Sequence, residues 1–410
     1  MTLSEELKWR GLIEQTSIKD IKSIDNKCLT FYWGVDPSAD SMTIGNLAAA
    51  ILVKRFIRAG HKAVLLVGGA TGLIGDPDGK ASERELITKE QIELNKKAII
   101  GQYKDIFKGD NFEVVDNYDW FKNILFMNFL RDIGKHIPMR QMLGREFIES
   151  RLGESGNGIS YAEFSYVLIQ AYDFLNLFKT KNVTLQLAGS DQWGNAIAGV
   201  DLVRRVTSKT VDVLTQPLVV DKTTNRKFGK TEKGAIWLDS KKTSPTVFYQ
   251  FWINLPDNGI EDYLKIYTFL SKQTIDKLIS DHNKAPQKRL AQKKLALEVT
   301  KLVHGQQATN LAMKVTEYLI GNMSIERASN QDLNAISEEI PIVKLKNQDV
   351  IKALVESKLA RSNTDARKLI SSGAISIDGR VISDETYTLT NKRQLLRRGK
   401  AFRDSAIIES

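Results

Sequence analysis

Thr30-Phe-Tyr-Trp-Gly-Val-Asp-Pro-Ser-Ala-Asp-Ser-Met-Thr-Ile-Gly-Asn46 is the stretch whose reading decides the fold. Residues 30–35 are an apolar run of strand length, and residues 36–46 form a polar loop. Leu47, Ile51, Leu52 and Phe56 then fall on one face of a helix over 47–59, closed by Gly60. Residues 63–67 give a second buried strand, which leads into a glycine-rich turn over 68–79. Strand, loop, helix and strand in this order predict an α/β fold with a Rossmann-like parallel sheet. From about 99 to 158 the pattern is mainly helical, which predicts an insertion at about 100–160 between two halves of the sheet. The sheet is expected to resume near 183–187, with a further strand within 211–220.

Working outward, residues 1–220 are expected to form this catalytic-type domain, and 221–243 a loop region. Residues 244–320 read as an all-α domain. In it Ala291, Leu295, Val299 and Leu302 share a face, and His304-Gly305 suits a helix end. Over 321–346 the periodicity fades, and a linker is expected. Residues 347–410 read as a small independent α+β module. Val350, Ile351, Leu354 and Val355 form one helical face, and Ser362-Asn-Thr-Asp365 opens a second helix closed by Gly373. Ile375, Ile377 and Val381 alternate around the turn pair Asp378-Gly379.

The 410 residues carry a formal charge of +10, which favours an anionic partner such as nucleic acid. The single cysteine, Cys28, excludes an intrachain disulfide, and the four scattered histidines give no zinc-ligand spacing. No apolar run is long enough to span a bilayer, and the N-terminus is charged without a signal-peptide core. A soluble, cytoplasmic protein with no membrane association is expected.

Five segments carry candidate chemistry. The loop over 36–46 opens a helix, so it presents free N–H groups and a positive dipole end to an anion. Gly45 allows close approach of a base or ribose, and Thr43 and Asn46 offer donors; an ordinary turn would look the same. Lys227-Phe-Gly-Lys-Thr231 is a doubly cationic loop able to neutralise charge on a leaving group, or simply a solvated hairpin. Gly69, Gly72 and Gly75 lack dinucleotide-fingerprint spacing, while Lys80 and Arg84 follow where they could reach phosphate. Tyr166, Gln170 and Asp173 share one helical face and could line a pocket for a polar aromatic ligand, or belong to an amphipathic helix. Gly189-Ser-Asp191-Gln192 lies at a strand end, where open α/β sheets place ligands.

In this order the segments resemble the tyrosyl-tRNA synthetases of the bacterial or organellar type, over about residues 9–403. Tyr32-Trp-Gly-Val-Asp-Pro-Ser-Ala-Asp with Thr-Ile-Gly-Asn46 is similar to the class I HIGH region, and 227–231 to the KMSKS loop. The resemblance implies activation of L-tyrosine by ATP to tyrosyl-adenylate and pyrophosphate, then transfer to the 3′ end of tRNA(Tyr). It implies that Tyr32 and Asp173 bind the phenolic hydroxyl, and that Thr71, Asp76, Tyr166 and Gln170 hold the α-amino group. Gln192 is implied near the carboxylate. Gly34, Asp36, Gly45, Asn46, Gly189, Asp191 and Lys230 are implied at ATP or the adenylate. Thr43, Asn46, Lys80, Arg84, Lys227, Lys230 and Thr231 are implied in activation, the last loops acting on pyrophosphate. Mg²⁺ is expected to accompany ATP without a dedicated protein site, and a homodimer is implied with an interface near 119–161.

One departure concerns the first loop. The family usually has histidine where this sequence has Thr43, and Asn46 replaces a second histidine. Activation is therefore expected to lean more on Lys80, Arg84 and the lysine loop. The last module resembles the alpha-L RNA-binding motif shared with a small-subunit ribosomal protein. Arg361, Arg367, Lys368, Arg397, Arg398 and Lys400 are its candidate RNA contacts, within a run of six Lys/Arg over 392–403. Two rivals stand beside this reading. A tryptophanyl synthetase shares the ATP motifs but has no use for a phenol-binding Tyr/Asp pair. A non-catalytic RNA-binding paralogue would not need Lys227, Lys230, Asp191 and Gln192.

Overall fold

The structure is a computed structural model describing residues 1–77, 86–139, 158–222, 228, 230–231, 234–320, 323–345, 348–390, 392–399 and 404–409, with backbone only at Lys230 and Thr231. The chain divides into two compact units, residues 1–243 with 255–295, and residues 244–254 with 296–410.

The first unit is built on a six-stranded sheet: β1 (Gln15–Thr16), β2 (Thr30–Val35), β3 (Lys62–Val67), β4 (Phe112–Asp116), β5 (Leu185–Gly189) and β6 (Asp212–Gln216). Their order is β1-β6-β5-β2-β3-β4. All neighbours are parallel except β1 with β6. β2, β3, β5 and β6 are nearly continuous buried runs, as expected of strands covered on both faces. The chain moves outward from β2 through β3 to β4, then returns to β5 and moves the other way. The order therefore reverses between β2 and β5, which opens a crevice at their carboxyl ends.

The helix Ile44–Arg58 follows β2 and buries Leu47, Ile51, Leu52 and Phe56, as its periodicity predicts. The helices Tyr161–Lys181 and Trp193–Thr207 pack together with Val64, Leu66 and Val213 of the sheet. Gly199 permits their close approach, since a Cβ there would meet Phe174 at 3.1 Å. β4 corrects the mainly helical reading of 99–158. The helix preceding it, Lys89–Ile106, ends before that strand, and short helices Tyr118–Phe121 and Phe126–Asp132 come after it. As an edge strand β4 is only partly buried and lacks a long apolar run. A two-stranded ribbon, β7 (Lys230–Thr231) with β8 (Gly234–Ala235), completes the strands of this unit.

The second unit contains the sheet β11-β10-β12-β13-β9, formed by β9 (Ile342–Lys344), β10 (Ile375–Ile377), β11 (Arg380–Ile382), β12 (Gln394–Arg398) and β13 (Ser405–Glu409). Asp378 and Gly379 both have positive φ, 48° and 80°, and close the β10–β11 hairpin as expected. Ile382, not Val381, is its buried residue, because Val381 pairs with Ser376 on the exposed face. Ser362 caps the helix Asn363–Ser371 by accepting from Asp365 N, while the Asp365 side chain accepts from Arg361 N. The described part of the stretch read as a linker, residues 323–345, is structured. It holds a boxed helix, Asn330–Ser337, and β9, which pairs in parallel with β13. The helical segment Leu290–Leu319 is broken at Gly305 (φ 80°, ψ 171°), where the sequence signalled a helix end, and resumes beyond it.

Candidate active site

The crevice at the β2–β5 switch point holds a cavity of 370 Å³. Around it the structure gathers Tyr32, Gly34, Asp36, Thr43, Gly45 and Asn46 from β2 and the turn after it. Thr71 and Asp76 come from the turn after β3, Tyr166, Gln170 and Asp173 from the helix Tyr161–Lys181, and Gly189, Asp191 and Gln192 from the end of β5. Lys80, Arg84, Lys227 and Lys400 lie outside the described residues, as do the side chains of Lys230 and Thr231.

Backbone geometry places these groups. Gly68 and Gly69 turn the chain out of β3, and a Cβ at Gly68 would meet Asp36 Oδ1 at 2.1 Å and Thr71 Oγ1 at 2.2 Å. That space is filled by a hydrogen-bonded knot. Thr71 Oγ1 donates to Asp36 Oδ1 (2.6 Å) and the Tyr166 hydroxyl donates to Asp36 Oδ2 (2.6 Å). Asp36 and Thr71, expected at the adenylate and the amino group, thus bind each other and orient Tyr166. Burial, then the Asp36 charge, pushes the Tyr166 phenol well above its usual range, so it remains a donor.

Asn117 is wholly buried and ties the same turn to the helix. Its amide donates to Thr71 Oγ1 (3.1 Å) and Asp173 Oδ2 (3.1 Å), and its carbonyl accepts from Ala70 N (2.7 Å). Trp120 Nε1 donates to Asp173 Oδ1 (2.9 Å). Burial pushes the Asp173 carboxyl well above the usual carboxylate range, against the opposing pull of these two donors. Tyr32 is also buried, edge-on to Phe174 with ring centroids 5.2 Å apart. Burial first and Asp173 second raise its phenol.

Four buried polar atoms on the cavity wall have no hydrogen-bond partner among the described residues: Tyr32 OH, Gln170 Oε1, Gln186 Oε1 and Gln216 Oε1. Native interiors rarely leave such groups unmet, and their collection at one cavity marks it as a place for a polar ligand. At the other strand end, Gln192 Nε2 donates to Asp76 Oδ2 (2.6 Å) and Gln192 Oε1 accepts from Asn195 (3.1 Å). Asp191 folds back over Gly189, where a Cβ would lie 2.6 Å from its Oδ1.

In the first loop, Asn46 Oδ1 accepts from both Thr43 N (3.0 Å) and Thr43 Oγ1 (3.1 Å). This fixes the amide orientation and leaves Asn46 Nδ2 as the outward donor. The same loop is laced to residues 236–238, through Ile44 N to Ile236 O (3.1 Å) and Leu238 N to Met42 O (2.9 Å).

The sequence reading missed Gln186, Gln216, Asn117 and Trp120. The two glutamines carried a signal, as polar residues closing or interrupting apolar strand runs. Of the candidate RNA contacts, Arg361, Arg367 and Lys368 are exposed. Arg397 and Arg398 are partly exposed and also have partners within the protein. The Arg397 guanidinium is half-buried, donates to Leu319 O, and is lowered by burial. Arg398 donates to Leu359 O (2.9 Å) and pairs with Asp404. Both brace the fold of the second unit.

Residues 25–320 match the family described as tRNA synthetases class I (W and Y), and residues 332–401 match the tyrosine–tRNA ligase SYY-like C-terminal domain. The fold and site therefore define a class I aminoacyl-tRNA synthetase. A tyrosine–tRNA ligase of Geobacillus kaustophilus is 44% identical across 98% of each chain, and tyrosine–tRNA ligase 1 of Streptococcus thermophilus 43% across the same share. A solved C-terminally truncated mitochondrial tyrosyl-tRNA synthetase of Aspergillus nidulans superposes with TM-score 0.70 at 30% identity, covering 78% of this chain and 94% of that one. A tryptophanyl-tRNA synthetase of Encephalitozoon cuniculi shares the fold, with TM-score 0.55 at 16% identity, covering 82% of this chain and 92% of that one. The chain belongs to the tyrosine–tRNA ligases.

Proposed function

We propose that this cavity activates L-tyrosine with ATP and that the chain then charges tRNA(Tyr). The observation that carries the substrate is the pair of buried groups Tyr32 and Asp173 on one cavity wall, the first without a hydrogen-bond partner among the described residues. A phenolic hydroxyl donates to Asp173 and accepts from Tyr32, which pairs both. In the first step a tyrosine carboxylate oxygen attacks the α-phosphorus of ATP, the bond to the β-phosphate breaks, and pyrophosphate leaves. In the second, a ribose hydroxyl of the terminal adenosine attacks the tyrosyl carbonyl carbon, and AMP leaves. The chain contributes position and charge rather than a covalent intermediate.

Tyr166, Asp76 and Gln170 take the α-amino group, with Asp36 and Thr71 holding the Tyr166 hydroxyl in place. Gln192, bonded to Asp76, sits toward the carboxylate. Gly34, Gly45, Asn46, Gly189 and Asp191 form the adenylate wall. Lys80, Arg84, Lys227, Lys230 and Thr231 act on the departing pyrophosphate. Mg²⁺ enters as the ATP complex, and no residue of the chain is assigned to it. Arg361, Arg367, Lys368, Arg397, Arg398 and Lys400 contact RNA backbone within a 347–410 module, and residues 244–320 face the anticodon side.

Exposed Leu125, Phe126 and Met127 (62–72% exposed) support a homodimer interface in the inserted region. Phe126→Asp should shift the sedimentation coefficient to that of a monomer. No helix among the described residues is long and apolar enough to cross a membrane, and we place the activity in the cytoplasm. ATP–pyrophosphate exchange with tyrosine, tryptophan and phenylalanine in turn tests the substrate. Exchange driven by tryptophan alone would reject it, and none with any would reject the activity.

A further inference from the structure

Over residues 221–233 the only apolar side chain is Phe228, in the middle of the lysine loop. A solvated basic loop has no need of it, yet Phe228 is only 5% exposed. Its ring stacks on Tyr263 with centroids 4.5 Å apart and planes at 25°, and reaches Tyr267 at 5.9 Å. Its N–H donates to Val219 O (3.0 Å), and it lines the cavity wall.

The helix Ile260–Tyr267 that carries both tyrosines holds more than Phe228. The Tyr263 hydroxyl donates to Val220 O (3.1 Å) and accepts from Lys222 N (3.3 Å), so it grips the chain just before the loop. The Tyr267 hydroxyl donates to Ile44 O (3.0 Å), in the first turn of the helix that follows the nucleotide loop. One helix thus touches both ATP-handling loops, and its contact with the second is an aromatic stack.

We propose that Phe228 is a positioning residue for tyrosine activation: stacked on Tyr263 and Tyr267, it ties the lysine loop to the helix Ile260–Tyr267 and so couples it to the first turn after β2. The stack holds Phe228 on the same helix whose Tyr267 hydroxyl meets the first turn after β2. This rests on the reading of the lysines as pyrophosphate groups. Misplacement of a catalytic group by about 1 Å can cost on the order of a hundredfold in rate. The stack is therefore expected to act on the activation step and to leave tyrosine recognition untouched.

The test is a double-mutant cycle on ATP–pyrophosphate exchange. Phe228→Leu should lower kcat on the order of ten- to a hundredfold, with the KM for tyrosine unchanged, which also shows that the cavity is folded. Tyr263→Leu should reproduce that loss, and Tyr263→Phe, which keeps the ring, should recover most of it. Transfer from preformed tyrosyl-adenylate to tRNA should proceed at the wild-type rate, because pyrophosphate has already left. In a Lys230→Ala background Phe228→Leu should cost less than about threefold, since coupled residues are non-additive. An equal cost in both backgrounds, or a raised tyrosine KM, would overturn the positioning role. Lys230→Ala retaining full exchange would instead remove the pyrophosphate reading of the loop, and the proposal with it.

Discussion

Thr43 and Asp173 show how single groups acquire roles from their neighbours. Thr43 stands where a histidine was expected to touch phosphate, but its hydroxyl and its N–H both point at Asn46 Oδ1. The donor offered outward is therefore Asn46 Nδ2, with Thr43 as its orienter. Thr43→Val keeps the shape and the N–H bond and loses one neutral hydrogen bond, worth about 0.5–1.5 kcal/mol. It should lower kcat/KM for ATP in exchange by about two- to twelvefold, whereas Thr43→His should retain or improve exchange. Asp173 is a buried acid whose folded pKa lies above its unfolded value. Its protonated form is favoured by folding, so stability falls as pH rises from about 4, its unfolded pKa. The fall ends once the pH passes the raised folded pKa. Asp173→Asn does not titrate, so its Tm relative to the wild type should climb over that window and then level off. A difference flat with pH would mean that Asp173 has no raised pKa. The same variant should lose part of its discrimination against phenylalanine, because an amide oxygen accepts more weakly than a carboxylate and that bond exists only for a phenol.

At the scale of elements, the turn after β3 shows why glycine was needed and how far sequence could lead. Gly68→Ala forces a methyl group against Asp36 and Thr71, breaking the knot that orients Tyr166. It should cost about 1–3 kcal/mol in urea unfolding, as overpacking does. It should also raise the KM for tyrosine about tenfold or more, from the loss of one or two oriented hydrogen bonds. The central strands were legible because burial on both faces demands unbroken apolar runs, and the polar residues at their ends stood out against them. β4 was not legible, since an edge strand half in water needs no such run. Residues 330–344 were read as a linker because a two-turn helix with Leu333 and Ile336 inside has too few residues to show a period. Described residues from each of the five candidate segments line one cavity. Asn117, Trp120, Gln186 and Gln216 joined them only in three dimensions, because an amide's meaning depends on which carboxylate or ligand faces it.

The second unit is where a boundary drawn from sequence and a boundary set by packing part company. A module beginning at 347 after a linker would come away cleanly. The packing says otherwise, because Leu395 and Ile407 lie in one core with Val315, Tyr318, Leu319, Leu333 and Ile336. β9 has β13 as its sheet neighbour, Ile407 N donates to Pro341 O (2.9 Å), and Leu345 N donates to Glu409 O (2.8 Å). Arg397 caps the carbonyl of Leu319. Truncation after residue 346 thus removes Leu395 and Ile407 from that core, where each fully buried Leu or Ile is worth about 1.5–3 kcal/mol. Residues 323–345 should then become sensitive to protease, and a new low-temperature transition should appear on heating. The described cavity residues precede position 229 and the lysine loop ends at 231, so tyrosine-dependent exchange should persist while charging of tRNA is lost. Protection of 323–345 in the truncated chain, with the helical segment as stable as before, would show that the last 60 or so residues fold on their own and that the shared core contributes nothing to holding them.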